Sequence, residues 1–157
     1  MSKEKVAISA CLTGCSCRYD ANDNLNETLL SQLESYEIIP FCPEEECFGT
    51  PRPTMDLIDN EKSIEAISNE SSKVLSLPII NYAKTFFKNN PNIKLFIGKD
   101  RSPSCAVKSA KVYDVDKNLL HKNGIGLMSE VALGFGIECW DAEVYVDKHR
   151  GIVPTEF

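Results

Sequence analysis

Long apolar runs are absent from this sequence. No segment approaches the roughly 18 to 20 apolar residues that a membrane-crossing helix requires. Residues 1–12 offer only a short apolar stretch before polar residues, which is not the pattern of an export signal. A cytoplasmic protein is expected. An excess of positive charge is lacking too, since 17 Lys and Arg face 23 Asp and Glu for a net charge of -6. Broad capture of nucleic acid depends on clustered Lys and Arg that displace counterions from phosphates. A nucleic-acid partner is therefore not expected, although a local basic pocket is still allowed. Internal repeats and an evident linker are missing as well. What remains, 157 residues that are 43% hydrophobic and 25% charged, is the composition of a globular chain. A chain of this length buries roughly 70% of its unfolded surface without needing cross-links, so one domain over residues 1–157 is expected.

The cysteine density of a disulfide scaffold is also absent. Seven of the 157 residues are cysteine, below the roughly 8 to 10% of short disulfide-rich chains, and the count is odd. In a reducing compartment such residues read better as metal ligands, reactive thiols or small buried groups.

The positions of these cysteines gain meaning from a coarse reading of the elements. Residues 6–10 are short, mostly apolar and followed at once by a Gly- and Cys-rich loop, the signature of a buried strand. Asn26 can cap a helix over 27–36, where Leu29, Leu30, Leu33 and Tyr36 make one apolar stripe. Residues 37–41 read as a second strand, and Pro40 places it at an edge or near its end because proline cannot donate to a ladder. The polar stretch 43–72 lacks periodicity and is expected to form loops lying over a site. Helical spacing returns over 76–88 with Ile79, Ile80, Ala83, Phe86 and Phe87, Pro78 being tolerable in the first turn. Residues 93–98 read as a third strand, and a helix over 127–135 precedes a fourth at 136–140. This alternation predicts an α/β fold, a mostly parallel Rossmann-like sheet with flanking helices, whose ligands bind beyond the carboxyl ends of the strands.

Cys11, Cys42 and Cys105 each follow one of those strands, so the fold can bring three thiols to one crevice. Three thiolates can hold a four-iron cluster with one iron left open. They can equally hold zinc with a water as fourth ligand, or be buried or reactive thiols without metal. Cys11, Cys15 and Cys17 fall one residue short of the C-x3-C-x2-C arrangement of radical enzymes, Arg18 standing in the required place. Cys139, inside an apolar strand, reads as core, and Cys15, Cys17 and Cys47 as spare thiols. His121 and His149 sit in polar surroundings and are expected to be exposed. Arg52 and Lys99 suit an anionic group such as a phosphate, or loop salt bridges.

Five motifs then occur in order along the chain: Ser9-Ala-Cys11-Leu-Thr-Gly14, Cys17-Arg-Tyr-Asp20, Cys42-Pro-Glu44, Pro51-Arg-Pro53 and Arg101-Ser-Pro-Ser-Cys105. Together they resemble the thiouracil desulfidase family, once a bacterial domain of unknown function, over nearly the whole chain. The resemblance implies a 4Fe-4S cluster on Cys11, Cys42 and Cys105, with Glu44 and Ser102 at catalytic positions. It also implies non-redox release of sulfide from thiouracil or a thiolated pyrimidine nucleotide such as 4-thiouridine monophosphate. Apart from it, Glu44 reads as one of an exposed acidic run, Glu44-Glu45-Glu46, and Ser102 as turn chemistry. Two departures flank the site: a shortened Glu45-Glu-Cys-Phe-Gly49 where Gly-Gly-Leu is usual, and Ala106 where Gly is usual. A zinc-thiolate hydrolase and a non-catalytic sulfur or redox carrier are the competing expectations.

Overall fold

The structure, a computed structural model, describes residues 3–14, 25–49 and 52–150. Its frame is a four-stranded parallel sheet of β1 (Glu4–Ser9), β2 (Tyr36–Phe41), β5 (Ile93–Gly98) and β8 (Glu138–Asp141), in the order β2-β1-β5-β8. β1 lies in the middle, with Ala7 beside Ile39 on one side and Phe96 on the other. Its run Val6-Ala7-Ile8 has no exposure at all, as expected of a parallel strand covered on both faces. Pro40 falls on the edge strand β2, where a missing N–H breaks no ladder.

Alternate residues of β1 and β5 serve two cores. Val6, Ile8, Leu95 and Ile97 pack against α1 (Glu27–Gln32) and α5 (Ala142–Lys148) through Leu29, Ala142, Tyr145 and Val146. Ala7 and Phe96 face α3 (Ser76–Asn89) and α4 (Leu127–Gly134), meeting Ala83, Phe87, Met128 and Ala132. Phe96 stacks on Phe41 with ring centroids 4.8 Å apart, and full burial of each such ring contributes roughly 1.5 to 3 kcal/mol. Asn26 caps α1 as expected, its side chain accepting from the Leu29 amide at 3.0 Å. Pro78 is the third residue of α3, in the turn where a missing N–H costs no helical bond.

The stretch 43–72 is not a set of loops. It forms α2 (Pro43–Phe48), β3 (Met55–Asp59) and β4 (Ile64–Ser68), and the two strands join β6 (Ala110–Tyr113) and β7 (Leu119–Gly124) in a second sheet ordered β4-β3-β6-β7. Only the central β3–β6 pair is parallel. Met55, Leu57, Ala66, Ala110 and Val112 pack there against Ile79 of α3 and Leu127 at the start of α4, so those helices belong to both sheets. Tyr36 also departs from expectation: α1 stops at Gln32 and Tyr36 opens β2, because the chain must turn after Leu33 to reach the sheet.

The strand order reverses between β1 and β5. The chain steps from β1 outward to β2 on one face of the sheet, then returns past β1 to β5 on the other, leaving a crevice at their carboxyl ends.

Candidate functional site

A cavity of about 230 Å³ opens at that reversal. Cys11, Cys42 and Cys105 line it, and so do Glu44, Ser102, Arg52 and Lys99, so these seven residues singled out from the sequence share one cavity. Cys15 and Cys17 lie outside the described residues. Cys47 is on α2 with its Sγ 3.4 Å from the Pro78 carbonyl oxygen, away from this cavity. Cys139 packs beneath the sheet, where burial pushes its thiol up to about 12.

Each cysteine is set by its local backbone. Cys11 sits in a single 3-10 turn, Ala10–Thr13, closed by Gly14 at φ 98°, a left-handed conformation that glycine adopts without strain. Cys42 is the residue before α2; its amide donates to the Tyr82 hydroxyl at 3.3 Å, and Pro43 fixes the first helical position. Cys105 hangs on a loop that leaves β5 at Gly98. There a side chain would overlap the Cys105 carbonyl oxygen, and on the far side a Cβ at Gly126 would lie 2.5 Å from the Cys105 nitrogen. Both glycines are thus required for the backbone to pass.

The same loop stands in for a helix cap. α4 has no capping side chain; the amides of Gly126, Leu127 and Met128 instead donate to the carbonyls of Ala106, Pro103 and Ser104 at 2.7, 3.1 and 2.8 Å. Ser129 adds its hydroxyl to the Cys105 carbonyl at 2.7 Å. Buried Asp141, at the end of β8, takes the amides of Val107 and Lys108 at 2.7 and 2.8 Å and the Ser109 hydroxyl at 3.0 Å.

Glu44 leaves the acidic run to which it belongs in sequence. Its side chain is 16% exposed, and both carboxylate oxygens are held: Oε1 by Arg52 Nε at 3.5 Å, Oε2 by the Ser104 hydroxyl at 2.7 Å. Arg52, itself 6% exposed, also donates to the Gly49 carbonyl at 3.0 Å and approaches Glu45 at 3.9 Å. The salt-bridge reading of Arg52 is thus present in the fold. Lys99 Nζ donates to the Asp100 carbonyl at 2.9 Å, and its amide donates to buried Ser9. Ser102 Oγ accepts from the amides of Ser104 and Cys105 at 3.2 and 3.1 Å, the turn geometry its sequence suggests.

Ser104, Ser9 and Asp141 were not singled out from the sequence. The two serines stand inside the quoted cysteine motifs, and that adjacency was the available signal. His121 is exposed as expected, whereas His149 is half-buried and stacks on Tyr145 at 3.9 Å.

Burial raises the Cys105 thiol above its ordinary range, as do the charges of Glu44 and Cys42, while hydrogen bonds with Ser104 and Ser9 act in the opposite sense. The Tyr82 hydroxyl is pushed up to about 12, chiefly by burial, and stays protonated. Among the described residues, no three His, Cys, Asp or Glu side chains are gathered closely enough to hold a single metal ion. The three thiols stand around a cavity instead. No described helix is long and apolar enough to cross a membrane.

Residues 6–143 match the model of a family described as 2-thiouracil desulfurase. Among curated proteins no match is found. A solved structure described as a 4Fe-4S-dependent thiouracil desulfidase, TudS, is similar at 22% identity, with a TM-score of 0.71 over 96% of this chain and 100% of that one. At that identity the likeness speaks to the fold.

The bracing of the Cys105 loop is open to direct measurement. Asp141→Ala strands two amides and a hydroxyl, and is expected to lower stability in urea unfolding by about 3 kcal/mol. Amide exchange at Val107 and Lys108 should speed up. Unchanged protection of both amides would show that other contacts hold the loop.

Proposed function

Because the chain belongs to the 2-thiouracil desulfurase family, we propose that it hydrolyses thiouracil or a thiolated pyrimidine nucleotide such as 4-thiouridine monophosphate, with a 4Fe-4S cluster held by Cys11, Cys42 and Cys105. One observation carries the reading: three thiols from three different strand ends line the same cavity as an anchored carboxylate, Glu44, and a hydroxyl, Ser102. The donor set fits the group. Iron–sulfur clusters take thiolates, and thiols spread around a cavity suit a cluster better than a single ion. When bound, such a cluster supplies an iron without a protein ligand, a soft site for a thione sulfur.

The side chains then divide the remaining work. Glu44 accepts a proton from water as the water oxygen bonds to the ring carbon, and Arg52, at 3.5 Å from Oε1, helps to orient that carboxylate. The C–S bond breaks, the oxygen becomes the product carbonyl, and both water protons leave with the sulfur as hydrogen sulfide. No electron donor is needed. Ser102, on the cavity wall, has one proton to give, and it passes from the 3.2 Å contact with Ser104 to the water or the ring when either is bound. Of the two cations expected to meet the anionic group of a nucleotide, Arg52 is engaged by Glu44 and Glu45, and Lys99 brings positive charge to the wall.

Two measurements check these assignments. Iron analysis after anaerobic reconstitution should show a sharp loss in Cys11→Ala, Cys42→Ala and Cys105→Ala but near-normal iron in Cys139→Ala; full iron in the Cys42 variant would contradict the ligand set. Glu44→Gln should keep iron and cluster absorbance while turnover falls by on the order of a hundredfold to ten-thousandfold. Near-wild-type turnover in that variant would remove Glu44 from the chemistry.

A further inference from the structure

The two residues expected to act, Glu44 and Ser102, are joined through a third. Ser104 is 1% exposed, and its hydroxyl lies 2.7 Å from Glu44 Oε2, 3.2 Å from Ser102 Oγ and 3.4 Å from Cys105 Sγ. The inventory of donors fixes how the protons run. Ser102 Oγ accepts two amide hydrogens, from Ser104 and Cys105, which fills its lone pairs. Its own proton is left to donate, and Ser104 Oγ is placed to receive it. Ser104 has one proton, a carboxylate can only accept, and the contact to Glu44 is the shortest of the three. The chain of donation therefore runs from Ser102 through Ser104 to Glu44.

We infer that Ser104 is a positioning residue: it fixes the Glu44 carboxylate from the side opposite Arg52 and ties it to Ser102. The inference rests on the functional reading above and adds a residue to it. Arg52 alone leaves the carboxylate free to turn about its bond to Oε1, because the guanidinium meets that oxygen through one nitrogen at 3.5 Å. The Ser104 hydroxyl, at 2.7 Å on the other oxygen, removes that rotation. Positioned acid–base groups lose rate steeply when displaced by as little as about 1 Å. A buried serine inside the loop that is clamped by Gly98 and Gly126 is well suited to hold such a position.

Ser104→Ala removes one oxygen and is tested in two ways. In cluster-free protein, a urea unfolding cycle with Ser104→Ala, Glu44→Ala and the double variant should show coupling of about tenfold or more in the unfolding constant, as for hydrogen bonds to charged groups. Additive effects would overturn the contact. In reconstituted protein, Ser104→Ala should retain its iron and lower kcat by about tenfold to a hundredfold with KM within about twofold, and it should cost little more in a Glu44→Gln background. Full kcat, an undiminished loss on the Glu44→Gln background, or loss of iron would each overturn the inference, the last by assigning Ser104 to Cys105. Wild-type protein that binds iron but releases no sulfide from a thiopyrimidine would instead overturn the functional reading, and the unfolding cycle would still decide the contact.

Discussion

The arrangement turns on a close approach of backbone to backbone. At Gly98 the last residue of β5 and the Cys105 carbonyl oxygen come together with no room for a side chain between them, and Gly126 meets the Cys105 nitrogen from the other side. This double clamp lets the loop of residues 99–109 fold back over the end of its own strand. Its carbonyls can then reach the amides of α4, and its amides the carboxylate of Asp141. A helix that lacks a capping side chain and a loop with buried polar backbone satisfy one another. A larger residue at position 98 would shift the third cysteine, uncap α4 and open the core between the two sheets.

With that loop fixed, the parallel sheet does the rest. β1, β2 and β5 run in one direction and end at one level, so residues following each strand are brought together without any contact in sequence. The cysteines bring three thiols to the cavity, while the start of α2 brings Glu44 to it. The paired hold on Glu44, guanidinium on one oxygen and hydroxyl on the other, converts a member of an acidic surface run into an oriented group. The same side chains connect α2, the segment before β3 and the Cys105 loop. Anchoring Glu44 and assembling the cavity are thus one set of contacts.

The first sheet was legible because β1, β2 and β5 are short, mostly apolar runs, each followed by a cysteine, with β1 and β5 largely buried; Pro40 even marked the edge. The second sheet was not. β3 and β4 mix Asp56, Asp59 and Glu65 with their buried residues, and five of the six residues of β7 are exposed, so no two-residue alternation announces them. Their burial depends on α3 and α4 arriving from elsewhere in the chain. Tyr36 illustrates the same limit, since its spacing from Leu29 and Leu33 is helical but the need to enter β2 prevails. At the site, strand ends pointed to the three cysteines and the motif resemblance to Glu44, and all four line the cavity. Nothing in Ser-Pro-Ser distinguishes the serine that shapes the turn from the one that touches the carboxylate, because that depends on which hydroxyl faces α2.

The central claim is that this cavity adds water across a carbon–sulfur bond. Anaerobically reconstituted protein, given thiouracil in 18O-labelled water without a reductant, measures it most directly. The account predicts uracil carrying one labelled oxygen and one sulfide released per uracil formed. Unlabelled uracil, or product that appears only when an electron donor is supplied, would contradict it.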